Sequence, residues 1–215
     1  VILIETIFDT LNCKAMIDAA LTMMKKHGVE LPVMISLTVS DLAGRTLSGQ
    51  TVDAFLASLS PYPIFSVGMN CAFGAPQMKP FIEHMAQVAP YYISAHPNAG
   101  LPNEMGEYDE TAESMAPQIA EFIDEGIVNI IGGCCGTSPE FIAHYARIAE
   151  GKKPHKVVEK PKYMWLSGLD LLQVDDSVHL PVDASRFVNV GERCNVAGSR
   201  KFLRLINEKN YEEAI

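Results

Sequence analysis

Hydrophobic positions along the chain gather into short continuous runs, at residues 1–4, 33–39, 64–69, 91–94 and 127–131. Runs this short, bounded by polar or small residues, are the pattern of strands buried on both faces. The segments between them carry a different period. Within 111–126, Met115, Ile119, Phe122 and Ile123 recur at i, i+4, i+7 and i+8, the stripe of an amphipathic helix, and Gly126 stands where a C-terminal glycine is expected. Residues 138–151 predict another helix, with Thr137 or Ser138 as N-cap, Pro139 in the first turn, Glu140 placed for a capping box with Thr137, and Gly151 at the end.

Strands alternating with helices predict an α/β fold with a parallel sheet, either doubly wound or part of a (β/α)8 TIM-type barrel. Polar and small residues cluster directly after each run, in E-T-I-F-D, S-D-L-A-G-R, N-C-A-F-G, H-P-N-A-G and C-C-G-T. Barrel chemistry sits at that C-terminal rim, so a partial barrel is the expected fold for residues 1–151, with three earlier βα units outside this chain. After Gly151 the composition shifts to K-K-P-H-K-V-V-E-K-P-K and then to a stretch of little periodicity, so 152–185 reads as an extended, solvated linker. A strand-like run and a helical pattern follow in R-F-V-N-V-G-E-R-C-N-V-A-G-S-R-K-F. Residues 186–215 are therefore expected to begin a second domain, truncated here.

Composition acts mainly by exclusion. The chain has 215 residues, 48% hydrophobic and 20% charged, enough apolar mass for a sizeable core. A net charge of -9, with basic residues scattered or confined to the linker, argues against a nucleic-acid partner. No signal peptide and no apolar stretch of about 20 residues is present, so no membrane association is expected and the expected location is cytoplasmic. The start on a strand pattern at Val1 and the end inside a helical one read as a piece of a longer polypeptide. Five cysteines are an odd and modest set, unlike a secreted disulfide scaffold, and are expected to be reduced.

Cys71 follows one predicted strand, and Cys134 and Cys135 follow another, so the barrel rim can bring three thiols to one point. Three thiolates match the ligand count of a catalytic zinc that keeps its fourth position open. Gly132, Gly133 and Gly136 allow a sharp bend between adjacent ligands, and the helix start behind them favours thiolates. The spacing lacks the repeated C-x-x-C of a structural zinc site, so redox and packing roles stay open beside the metal, as does a strained vicinal disulfide. Cys13, on the helical pattern after the first strand, reads as a buried hydrophobe. Asp9 reads as a helix cap, and His96 receives no role.

The stretches G-M-N-C at 68–71, N-A-G-L-P at 98–102, G-E-Y-D at 106–109 and G-G-C-C-G-T at 132–137 resemble the homocysteine-binding module of homocysteine S-methyltransferases. The stretch N-V-G-E-R-C-N-V-A-G-S at 189–199 is similar to the start of a methyltetrahydrofolate-binding (pterin) barrel. Both in this order resemble the cobalamin-dependent methionine synthases. The resemblance implies that Cys71, Cys134 and Cys135 hold a catalytic Zn2+ whose open position takes the sulfur of L-homocysteine. It further implies that Glu5 holds the substrate ammonium group and that Asn195 meets the pterin edge of 5-methyltetrahydrofolate. The methyl donor would be methylcobalamin, bound by other domains of the same polypeptide and absent here, so this chain alone is expected to be inactive. Asn98 and Gly100 are expected to shape the rim loop without touching the metal. Two alternatives belong beside this: a cobalamin-independent enzyme using betaine or S-methylmethionine, which has no appended pterin barrel, and a non-catalytic module stapled by zinc.

Overall fold

The structure, a computed structural model, describes residues 1–160, 164–174 and 196–214. It divides into two compact units, Val1–Asp175 and Asp176–Ile215. The first unit alternates β1 (Ile2–Ile7), α1 (Thr10–His27), β2 (Val33–Leu37), α2 (Val52–Leu59), β3 (Ser66–Asn70), α3 (Ala75–Val88), β4 (Tyr92–His96), α4 (Ala112–Asp124), β5 (Ile130–Ile131) and α5 (Pro139–Ala149). The strands are parallel and lie in the order β1-β2-β3-β4-β5. A doubly wound sheet reverses its strand order at a switch point, whereas an unbroken sequential order is the arc of a barrel. The partial barrel expected for residues 1–151 has this arrangement.

Every residue of β2 and β3 is buried. Ile35, Leu37, Val67, Met69 and Ile93 from the sheet pack with Phe55, Leu56, Ile82, Met85, Ile119 and Phe122 from the helices in one core. Each such side chain, fully buried, contributes roughly 1.5–3 kcal/mol relative to exposure. The stripe Met115, Ile119, Phe122 and Ile123 faces this core from α4, whose N-cap Thr111 forms a capping box with Ser114. Cys13 is completely buried on α1 and its thiol is pushed up to about 12 by that burial, so it behaves as the inert hydrophobe expected. Asp9 caps α1 by accepting from the backbone N–H groups of Leu11 and Asn12.

Three local expectations change. β5 was predicted over 127–131 but forms only at Ile130–Ile131, because the Asn129 side-chain oxygen takes the N–H of Ile93, 2.8 Å away, in place of a ladder carbonyl. α5 begins with N-cap Ser138 and has no side-chain cap, and the capping box between Thr137 and Glu140 does not form. The Thr137 hydroxyl instead donates to the Cys134 carbonyl at 2.7 Å. Within 152–185, read as irregular, β6 (Met164–Ser167) and β7 (Leu171–Val174) form an antiparallel hairpin. It packs on α2, where the Ser167 hydroxyl donates to the Ala54 carbonyl at 2.6 Å, and on the loop before that helix, where the Arg45 guanidinium meets Asp170 at 2.8 Å.

In the second unit, a short turn at Val196–Gly198 leads into α6 (Arg200–Asn207), capped by Ser199, and α7 (Tyr211–Ala214). The strand-like run expected before them, and Asn195, lie outside the described residues. Among the described residues no helix is long and apolar enough to cross a membrane.

One ion pair on the helical layer gives a pH-dependent prediction. His84 on α3 meets Asp53 on α2 at 2.7 Å, and this hydrogen bond to a carboxylate holds the imidazole above its usual value against the opposing effect of burial. A raised folded-state value means stability that is full below the unfolded value of about 6.5 and is lost as pH rises through the folded one. The gap in thermal midpoint between wild type and His84→Gln is therefore expected to be widest near about pH 5.5 and to narrow by about pH 8.5. A gap independent of pH, measured by calorimetry across that range, would contradict the pairing.

Candidate metal centre

The centre is built at the C-terminal ends of β3, β4 and β5. After Asn70 the chain turns through Cys71 and Ala72, both in the left-handed region with φ of 62° and 60°. Such conformations are costly for residues with a Cβ and persist only where their surroundings over-determine them. Here the Cys71 N–H donates to the His96 carbonyl at 3.2 Å and the Phe73 N–H to the Cys71 carbonyl at 2.7 Å. The turn presents the Cys71 sulfur across the rim toward β5.

The paired cysteines are held by the loop that follows β4. The Cys134 N–H donates to the Pro97 carbonyl at 2.9 Å, the Ala99 N–H to the Cys135 carbonyl at 2.9 Å, and the Cys135 N–H to the Asn98 side-chain oxygen at 3.1 Å. Asn98, 2% exposed, thus anchors the cysteine turn through its backbone. Of the flanking glycines, Gly136 has a φ of 78°, and a Cβ there would also strike Tyr108 at 2.5 Å. Gly133 matters for space instead, since a Cβ would lie 2.4 Å from the Thr137 hydroxyl oxygen.

These supports bring the Cys71 and Cys135 sulfurs to 3.7 Å and those of Cys134 and Cys135 to 4.0 Å, with all three within 4.8 Å of one another. A disulfide needs about 2.05 Å, so the three are free thiols. Three sulfurs bound tetrahedrally at about 2.3 Å would sit about 3.8 Å apart. Soft donors at this spacing, half-buried, with the N-terminal end of α5 just behind them, suit zinc in both chemistry and reach.

The thiols are not equivalent. Burial pushes Cys134 up to about 11, partly offset by a hydrogen bond from the Asn70 side chain. Cys135 moves the other way: burial is the largest single influence and opposes the shift, but hydrogen bonds from Cys71, the Tyr108 phenol and Cys134 together outweigh it. Tyr108 itself is raised, by burial first and then by its bond to Cys135. Of the adjacent pair, Cys135 is therefore the thiol that ionises more readily and Cys134 the one that resists it. Limiting iodoacetamide on metal-stripped protein is accordingly expected to alkylate Cys135 before Cys134, with Cys13 last. Peptide mapping that finds Cys134 modified first would contradict the assignment.

Glu5 lies exposed at the C-terminal end of β1, and its charge is felt by His96, whose imidazole is lowered chiefly by burial. The described residues thus bring together Cys71, Cys134, Cys135, Asn98, Tyr108 and Asn70, with Glu5 on the neighbouring rim. Tyr108 and Asn70 carry contacts to the thiols that the sequence reading did not assign, although both stand within the stretches G-E-Y-D and G-M-N-C. A cleft of about 740 Å3 opens at the other end of the strands, lined by Leu21, Met24, Leu31, Val33 and Pro63 among others. It holds no cluster of metal-ligating or nucleophilic side chains, so the thiols and not the cleft mark the chemistry.

Fold and centre define an α/β protein of parallel, barrel-type topology with a thiol cluster on its C-terminal rim that can bind a metal ion. Residues 1–149 match the family model described as homocysteine S-methyltransferase, and the chain belongs to that family. Among solved structures it is similar to the homocysteine methyltransferase MmuM from Escherichia coli. The apo form has 20% identity and a TM-score of 0.49, over 68% of this chain and 48% of that one. The metallated form has 21% identity and a TM-score of 0.43, over 61% and 40%. The chain therefore spans about half the length of that protein or less.

Proposed function

We propose that this chain is the thiol-bearing part of a zinc-dependent methyltransferase that places a methyl group on the sulfur of L-homocysteine and so makes methionine. The finer reading is a cobalamin-dependent methionine synthase, in which methylcobalamin donates the methyl group and 5-methyltetrahydrofolate restores it. The observation that carries the first statement is the convergence of Cys71, Cys134 and Cys135 in a chain of this family. Support for the second comes from the sequence at 189–199, with its pterin-barrel likeness and Asn195 as the residue for the pterin edge.

In this reading Cys71, Cys134 and Cys135 hold the zinc, which when bound supplies a Lewis acid that keeps a substrate thiol ionised at neutral pH. The protein's own part is to fix three soft donors before substrate arrives, through the Asn98 anchor and the strained turn at Cys71. Tyr108, hydrogen-bonded to Cys135, draws charge from one of those donors. Glu5 offers a carboxylate at the rim for the substrate ammonium group.

Donor choice tests the reading. The full-length protein, given homocysteine, is expected to form methionine with methylcobalamin and 5-methyltetrahydrofolate but not with betaine or S-methylmethionine. Turnover from either of the latter without cobalamin would assign a cobalamin-independent enzyme. Bound zinc with no methionine from any donor would assign a non-catalytic module.

A further inference from the structure

Asn70 is 1% exposed at the end of β3, immediately before Cys71, and all of its side-chain hydrogen-bonding capacity is used. Its oxygen accepts from the Thr6 backbone N–H at 2.9 Å and from the Ser36 hydroxyl at 2.7 Å. Its nitrogen donates to the Thr6 hydroxyl at 2.9 Å and to the Cys134 sulfur at 3.7 Å. The orientation of the amide follows from Thr6, because a backbone N–H can only donate and so must face the oxygen. That leaves the amino group toward the sulfur.

Thr6 is itself unusual. It is a β-branched residue with φ of 57°, at the place where the pairing of β1 with β2 shifts register between Ile4 and Ile7. A β-branched side chain in the left-handed region is a genuine outlier and needs outside support. The two-point clasp of Asn70 on its N–H and hydroxyl gives that support. The main chain of Asn70 is fixed in turn, its carbonyl accepting from the Thr38 hydroxyl at 2.9 Å. One buried amide thus joins β1, β2, β3 and the cysteine turn.

We propose that Asn70 is a positioning residue for the metal centre: it clasps the strained Thr6 turn and donates an N–H hydrogen bond to the sulfur of Cys134, setting where that sulfur points and how strongly it donates to a metal. This rests on the metal reading above. Outer-shell partners of this kind orient ligands and change metal affinity by about 10- to 100-fold when removed. The residue after Glu5 is held by the same amide, so the rim carboxylate and the thiol are placed from one point.

The full chain loaded with 113Cd is expected to show an NMR scalar coupling between cadmium and the Asn70 side-chain amide protons, transmitted through the Cys134 sulfur. Asn70→Ala is expected to weaken zinc about 10- to 100-fold in competition with a chelator. His84→Gln, which loosens the contact between α3 and α2 and touches neither Asn70 nor the thiols, should keep wild-type affinity. A folded Asn70→Ala variant with wild-type zinc affinity overturns the proposal, as does cadmium bound by three sulfurs without the coupling. If Asn70→Ala fails to fold, the wild-type coupling decides alone. Failure of the wild-type chain to bind zinc or cadmium at all would instead strike the metal reading itself.

Discussion

A Cys134→Ser variant of the full-length protein is expected to lose its zinc and to stop methylating homocysteine. A serine hydroxyl is scarcely ionised at neutral pH and is a hard donor, so the centre would fall from three thiolates to two. Losing a direct ligand costs more than the roughly 10- to 100-fold seen when an outer-shell partner is removed. Misplacement of the rest of the rim is not expected, because the Cys134 N–H and carbonyl are held by Pro97 and Thr137 and not through the sulfur. On the proposed reading, transfer from 5-methyltetrahydrofolate to cobalamin uses a different barrel and should persist in this variant. Both half-reactions can be followed by the cobalamin spectrum. Homocysteine methylation near the wild-type rate without zinc would remove the cysteine pair from the mechanism.

The second large effect concerns the sheet that carries the centre. Register aligns Ser36, Gly68 and Ser94 across β2, β3 and β4. A Cβ at Gly68 would lie 1.9 Å from the Ser94 carbonyl oxygen and 2.2 Å from its hydroxyl. The obstacle is backbone at a point where both Gly68 and Ser94 are buried, and backbone has no rotamer to give way. Gly68→Ala is expected to cost more than about 3 kcal/mol, the upper end of overpacking penalties, and to yield little folded protein. By contrast, a Cβ at Gly126 or Gly151 meets nothing within 4 Å, though both have positive φ, so alanine there is penalised by backbone conformation alone. Chemical denaturation of the three variants side by side separates the two mechanisms. Gly68→Ala unfolding with a midpoint like that of Gly126→Ala would contradict the packing derived for β3 and β4.

Much of this architecture is legible in the order of residues, for reasons of local chemistry. Buried parallel strands appear as apolar runs because both faces are covered, and the stripe of α4 appears because one helix face meets the core. The three cysteines are legible for the same reason: each follows the end of such a run, where barrel rims converge. Asn70 is harder to read. Its partners Thr6 and Cys134 each lie 64 residues away and Ser36 lies 34 away, so no local pattern distinguishes it from any polar strand end. Tyr108 meets Cys135 only through the folding of the loop after β4. The hairpin of β6 and β7 is short and bounded by linker-like sequence, and its docking depends on backbone groups of Gly168 and Leu169 meeting Gln50 and Thr51. The failed capping box at α5 has a similar origin, since Thr137 was diverted to the cysteine turn by a contact that favours the centre over the helix end.

The claim on which the rest depends is that the three thiols form one metal centre with room for the substrate sulfur. Zinc analysis combined with X-ray absorption, on the full-length protein before and after addition of homocysteine, tests this most directly. One zinc per chain is expected, with three sulfur neighbours at about 2.3 Å before addition and four after it. Reduced protein that retains no zinc, or a sulfur count that stays at three in saturating homocysteine, would contradict it.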